Sequence, residues 1–362
     1  MKAMQITTCG ELRENSQPLS AVTLPVPVPG PRQVLIRVSV CAVCHTELDE
    51  IEGRAPPPVL PVTPGHQVVG TVAAAGEEVE RFVIGDRVGV AWIFSACGEC
   101  GFCRQGLENL CGDFRATGRD ANGGYAEYMV VHENFAHAIP ESLSDEAAAP
   151  LLCAGAIGYR SMNLAAISNG QPLGLTGFGA SAHLVLKMVR NRYSETPVYV
   201  FARSARERAY AVELGAVWAG DTNDRPPCEL AAIIDTTPVW KTILRALECL
   251  QANGKLVINA IRKEDGDKGC LAELDYSRHL WLEKEIKSVA NITRRDVAEF
   301  LRLAAELDLQ PEVSCYRLED ANQALRDLKF RHVRGAKVLK IGAYTSILPV
   351  DNRQSGSSPF HG

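Results

Sequence analysis

The chain has 362 residues, a hydrophobic content of 46%, a charged content of 22% and a formal net charge of −5. This is too long for one ordinary core, so two domains of a soluble globular protein are expected. The mildly acidic balance argues against a general nucleic-acid binder, and no run of 18 or more apolar residues is present to cross a membrane. The opening MKAMQITTCG lacks the apolar centre of a secretory signal, so the cytoplasm is the expected location.

Residues 1–150 read as β-rich. RQVLIRVSVCAVC, HQVVGTVAAAG and DRVGVAWIF are short β-branched runs bounded by Gly and Pro, as in a barrel-like fold. Between them, Arg54 to Pro64 holds five prolines and predicts an extended loop. From about Leu151 the rhythm changes. PLGLTGF predicts a strand, ASAHLVLKMVRNR a helix, VYVFA a strand and ARERAYAVEL a helix; AAIIDTT, KLVINA and IKSVAN are further short apolar runs. Strands alternating with helices predict a parallel, doubly wound sheet. After Asn291 come a helix (RRDVAEFLRLAAEL), a strand near PEVSCYRL, a helix near EDANQALRDL and the strand AKVLKI. The polar end TSILPVDNRQSGSSPFHG predicts disorder.

Twelve cysteines without a secretory signal point to metal rather than a disulfide scaffold. Cys97, Cys100, Cys103 and Cys111 have the spacing C-x2-C-x2-C-x7-C, which suits a closed thiolate tetrahedron around a structural zinc. Two disulfides or an iron–sulfur cluster are the alternatives. Cys44, His66 and Cys153 form a second candidate set. Two thiolates and an imidazole leave the fourth position of a zinc ion for water or substrate, the arrangement of a Lewis-acid catalyst. Thr46, beside Cys44, can accept and donate a proton. Cys9, Cys41, Cys228, Cys249, Cys270 and Cys315 fall outside any ligand spacing and read as small buried hydrophobes.

GLTGFGASAHL follows a predicted strand and opens a predicted helix, giving Gly177-x-Gly179-x-x-Ala182, the G-x-G-x-x-G/A dinucleotide fingerprint. An acidic residue ordinarily ends the second strand of such a unit and binds the adenine ribose of NAD. Here Ala202 is followed by Arg203, Ser204 and Arg206, which favours the 2′-phosphate of NADP(H), unless both arginines are simply solvated and NAD binds without the acid.

Taken together, VCHTELD, PGHQVVG, CGECGFCRQGLENLC, GGYAEYMVV, LLCAGAIGYR, GFGASAHL and EKEIKSVANITRRD resemble the medium-chain, zinc-containing alcohol dehydrogenase family from about Met1 to Ile341. The resemblance implies an α/β protein: a GroES-like β-rich catalytic domain with an inserted doubly wound Rossmann domain. Its expected divisions are residues 1–153 (catalytic, with both zinc sites), 154–291 (dinucleotide-binding), 292–342 (return to the catalytic domain) and 343–362 (tail). It implies two zinc ions per chain, a catalytic one on Cys44, His66 and Cys153 and a structural one on the four-cysteine lobe. It implies a proton relay beginning at Thr46, His45 near the cofactor pyrophosphate, Trp92 and Ile93 at the substrate-pocket wall, and a homodimer or homotetramer built partly through the Rossmann sheets.

Three positions depart from the family pattern. Gln67 replaces a Glu after the ligand His, Glu47 replaces an Asp three residues after the first ligand, and Asp49 replaces a His at the relay's outer end. The expected function is a zinc-dependent alcohol dehydrogenase acting on small primary alcohols or aldehydes with NAD(P)(H). Polyols and cinnamyl-type alcohols are alternative substrates. A zinc-independent quinone-reductase-like enzyme and a non-enzymatic binding protein are the alternative functions.

Overall fold

The run QVLIRVSVCAV forms the strand Gln33–Val43, the spine of the first sheet. β-Branched residues dominate it, and their stiff side chains pack well on a pleated surface. It pairs antiparallel with Val68–Ala75. Its first half also pairs with Tyr128–His132 and its second half with Ala336–Lys340. The path through this sheet runs Val313–Arg317, Ala336–Lys340, Gln33–Val43, Val68–Ala75, Arg87–Val90, Ala136–Ala138. The end of the chain therefore returns to the first sheet, where Lys337 pairs with Val43, next to Cys44. The computed structural model describes residues 1–331 and 335–342. The expected tail, 343–362, lies outside the described residues.

One expected strand is broken. DRVGVAWIF divides into Arg87–Val90, which stays in the first sheet, and Ile93–Ser95, which pairs with Arg115–Ala116 in a separate ribbon. The Trp92 carbonyl at the break accepts from Thr117 N–H (2.8 Å). A continuous apolar pattern cannot show a change of sheet, because both halves bury their side chains.

The second sheet is wholly parallel and six-stranded. Its order is Trp218–Gly220, Val198–Phe201, Leu173–Thr176, Leu230–Asp235, Leu250–Ile258, Glu285–Ser288. Helices Ala180–Arg192, Ala205–Glu213 and Lys241–Cys249 connect successive strands. The central strands are apolar at almost every position because helices cover both faces. Chain order reverses between Leu173–Thr176 and Leu230–Asp235, which opens a crevice at their carboxyl ends.

Between the two sheets the chain runs through Asp145–Pro150, a single π-helical turn Leu151–Gly155, and Ala156–Ala165. An apolar cluster containing Val40, Ala42 and Val69 continues through Leu151 and Leu152 to Leu173 and Phe300, so the two sheets share buried contacts. Gly155 allows the close approach of helix Arg294–Glu306, since a Cβ there would lie 2.2 Å from Phe300 Cζ. The six outlying cysteines need a correction. Cys41 is buried, but Cys249 and Cys270 are half-buried and Cys9, Cys228 and Cys315 are exposed. Cysteine is apolar enough for a core, but only the tertiary contacts decide whether it reaches one.

Candidate active site

Three separate segments meet at the first cluster. Cys44 ends the central strand and caps the short helix His45–Ile51. His66 follows Gly65, whose φ of +101 permits the turn and whose missing Cβ leaves room for Tyr125 Cδ1, which a Cβ would approach to 2.4 Å. Cys153 lies in the π-helical turn, where wider winding re-aims a side chain that a regular helix would point elsewhere. The sulfurs of Cys44 and Cys153 are 4.0 Å apart, and the ligand atoms of Cys44, His66 and Cys153 all lie within 4.8 Å of one another.

The surroundings orient these groups. The Glu47 carboxylate accepts from the Cys44 N–H (2.8 Å) and lies 2.6 Å from His66 Nδ1. A carboxylate can only accept, so Nδ1 carries a hydrogen, and the neutral ring keeps its lone pair on Nε2. Nε2 is buried and has no partner. Such a nitrogen, beside two sulfurs, fits a metal ion. The electrostatics agree. A hydrogen bond from Cys153, helped by the nearby His66 charge, pulls the Cys44 thiol well below its ordinary range, while Cys153 is pushed up by sharing that proton and by burial. With no cation on Nε2, burial opposes protonation of His66, but the Glu47 carboxylate and Cys44 outweigh it and raise the imidazole well above its usual value, so a metal ion there would take the place of a proton. The cluster is a buried anionic site that attracts positive charge.

Thr46 is buried, with its hydroxyl 3.7 Å from Cys44 Sγ, and His45 is exposed beside it. Gln67 is buried next to His66. Asp49 is engaged by Arg54 Nε (2.5 Å) and Arg262 Nε (3.2 Å). Arg262 follows the parallel-sheet strand Leu250–Ile258, so this ion pair links the two sheets at the site. Trp92 is half-buried, its ring 4.8 Å from that of Phe114, with the Arg119 guanidinium 5.8 Å away on the ring face. Ile93 is buried in the apolar core of the β-rich part. Sequence reasoning missed Arg262, Arg119 and the buried Glu50. Nothing local marks them, because their setting comes from distant segments.

The four-cysteine lobe closes on itself. Cys97 and Cys103 sulfurs lie 3.9 Å apart, Cys111 and Cys97 sulfurs 3.5 Å, and all four fall within 4.8 Å of one another. These separations exceed a disulfide bond of about 2.05 Å and suit ligands around one ion. Cys103 N–H, donating to Cys100, pulls that thiol down to about 7, while burial pushes Cys103 up to about 12. The lobe is tied to the returning chain: Glu108 accepts from Arg294 N (2.7 Å) and Nε (2.9 Å), and Asn109 donates to the Ala290 carbonyl (2.7 Å).

The glycine motif lies at the crevice of the parallel sheet, between the strand Leu173–Thr176 and the helix Ala180–Arg192. Gly177 has φ +77, and a Cβ there would lie 2.9 Å from Thr236 Oγ1. A Cβ on Gly179 would meet nothing within 4 Å, which leaves open space before the helix Ala180–Arg192. Ala182 is fully buried on that helix. Its amino end favours an anion through its free N–H groups and dipole. Arg203, Ser204 and Arg206 are exposed where the strand Val198–Phe201 passes into the helix Ala205–Glu213, which Ser204 caps.

Residues 30–141 match the model of the alcohol dehydrogenase GroES-like domain. The chain is 43% identical, over 94% of its length and 97% of the relative's, to "Probable alcohol dehydrogenase AdhA" of Mycobacterium tuberculosis. Among solved structures, it superimposes on a cinnamyl alcohol dehydrogenase from Sorghum bicolor with a TM-score of 0.80 at 27% identity, covering 94% of this chain and 97% of that one. It superimposes on an NAD-dependent alcohol dehydrogenase with a TM-score of 0.83 at 25% identity, covering 94% of this chain and 100% of that one. With this fold, these two cysteine-containing clusters and these relatives, the chain belongs to the medium-chain, zinc-containing alcohol dehydrogenase family.

Proposed function

We propose that the protein is a zinc-dependent alcohol dehydrogenase that passes a hydride between a small primary alcohol or aldehyde and a nicotinamide dinucleotide. The observation that carries this reading is the meeting of Cys44, His66 and Cys153 from three distant segments, with His66 Nε2 buried and unpartnered. These residues would hold the catalytic zinc, and the four-cysteine lobe a structural one. When bound, zinc supplies Lewis acidity toward the substrate oxygen.

The chain's own groups then divide the work. Glu47 holds His66 in the tautomer that presents Nε2. The Thr46 hydroxyl would accept the alcohol proton while passing its own on, and a bound nicotinamide would accept the hydride that leaves the substrate carbon with its electron pair. Asp49 is engaged by two guanidiniums, so the proton route runs from Thr46 toward solvent at His45, and Asp49 serves to anchor the two sheets. Gly177, Gly179 and Ala182 admit the pyrophosphate. Trp92 forms a pocket wall, and the burial of Ile93 makes it a support for that wall.

Two finer readings follow. Arg203 and Arg206 favour NADP(H), since both are exposed where the 2′-phosphate would lie. The strand Glu285–Ser288 is an exposed sheet edge with exposed Ile286, Trp281 and Leu282 near it, which supports pairing with a second copy of the chain.

The deciding experiment measures zinc per chain, together with rates on ethanol, butanol and benzyl alcohol, for wild type and Cys153→Ala. The reading expects two zinc ions and turnover in the wild type, with one zinc and near-complete loss of activity in the variant. One zinc in the wild type, or equal rates in both proteins, would refute it.

A further inference from the structure

The site geometry leaves one acidic residue unaccounted for. Glu50 is 1% exposed, and neither of its carboxylate oxygens has a hydrogen-bond partner. It lies one turn beyond Glu47 on the helix His45–Ile51 that Cys44 caps. The neighbouring acids on this segment are all engaged: Glu47 by Cys44 and His66, Asp49 by Arg54 and Arg262, and Glu52 by Arg54, Lys329 and the Leu12 N–H. Among the described residues, Glu50 is the acid with both oxygens buried and unpartnered.

An ionised carboxylate removed from water is tolerated only beside positive charge. Without a metal, burial and the negative charges of Glu47 and Cys44 push the Glu50 carboxyl well above its usual range, while His66 and Arg119 act against them. Arg119 is already engaged by Asp120, through Nε at 3.0 Å and Nη2 at 2.8 Å. Tyr125 Oη, which feels the charges of Glu47, Cys44 and Glu50, is likewise buried and unpartnered. A dication at the Cys44–His66–Cys153 cluster would add the missing positive charge. Gln67, beside His66, is neutral and cannot supply an anionic ligand. A carboxylate oxygen is an ordinary zinc ligand.

We propose that the Glu50 carboxylate is an auxiliary, exchangeable ligand of the cation held by Cys44, His66 and Cys153, taking the fourth position when no substrate oxygen is there. This rests on the functional reading above. Among the described residues the compact donor group comprises only those three, so ligation requires the Glu50 side chain to swing from its present rotamer toward the ion. Glu50 would then give way to a substrate oxygen on entry, and the cation would keep an oxygen donor between turnovers.

The test uses the full chain carrying Co²⁺ at this cluster and zinc in the lobe. Glu50→Gln is expected to shift the visible d–d bands of the substrate-free protein and to weaken Co²⁺ binding there by about tenfold or more. Glu50→Asp, which keeps the charge on a shorter arm, should show the same altered bands. Imidazole, which fills the fourth position, should make all three spectra coincide. Superimposable spectra before imidazole, with Co²⁺ affinities within about twofold, would overturn the proposal, as would a difference that survives imidazole. If neither variant folds, wild type alone decides: imidazole must change the carboxylate stretch in an infrared difference spectrum, and an unchanged band refutes ligation by Glu50. A wild type that binds metal only in the lobe would overturn the functional reading itself, and this proposal with it.

Discussion

His66 Nδ1 lies 2.6 Å from Glu47 Oε1, with both side chains fully buried. The same carboxylate accepts from the Cys44 N–H, so one acid positions two residues of the cluster. An Asp at position 47 would have a shorter arm, and the extra methylene of Glu47 still lets the carboxylate reach both groups. Glu47→Ala should lower metal affinity at the Cys44–His66–Cys153 cluster by about 10–100-fold and leave the lobe metal in place. Competition with a chromophoric chelator, read in two phases, would check this. Equal loss from both sites would show general unfolding instead.

Asp49 joins Arg54 on its own side of the molecule to Arg262 on the other. The Arg262 side chain is 36% exposed, so solvent weakens its share of the pair. A double-mutant cycle of Asp49→Ala and Arg262→Ala should give a coupling of about 1 kcal/mol in unfolding. Arg262→Ala alone should lower stability only slightly. A coupling near zero would mean that the ion pair does not bind the two sheets together.

Arg203 and Arg206 stand exposed after the strand Val198–Phe201. One charge-assisted hydrogen bond is worth about 1.5–3 kcal/mol. Removing both arginines should therefore reduce kcat/KM for NADP(H) by at least about tenfold and change it little for NAD(H). Initial rates with the two cofactors at equal concentration test this directly. A strong NAD preference in the wild type would defeat the reading.

His137, on the strand Ala136–Ala138, is 7% exposed. Burial, with smaller effects from Arg81 and Arg294, lowers its imidazole to about 3. The folded protein keeps this group neutral, while the unfolded chain protonates it below about 6.5. Its stabilising contribution is thus complete above that value and lost progressively as pH falls toward 3, at up to about 1.4 kcal/mol per pH unit. Urea unfolding between pH 7 and 5 should show this slope, and His137→Gln should flatten it. Parallel slopes in the two proteins would contradict the assignment.

Much of the architecture could be read in the sequence, because its signals are local. GLTGFGASAHL places a strand, a turn and a helix within a few residues, and the observed helix is Ala180–Arg192. C-x2-C-x2-C-x7-C brings four sulfurs together almost by chain length alone. β-Branched runs marked most strands, although the pattern hid the break between Arg87–Val90 and Ile93–Ser95. Other facts depended on contacts between residues far apart in the chain. The spacing of Cys44, His66 and Cys153 has no local meaning, and folding brings them within 4.8 Å. An acid-rich run such as HTELDEIE ordinarily reads as a solvated face, yet Glu47, Asp49 and Glu50 are buried, and each has a different fate. Residue type and spacing determined the ligand chemistry and the order of strands and helices. Burial and through-space charge, which only the packed chain supplies, decided which acid orients a histidine, which holds the two sheets together and which is left without a partner.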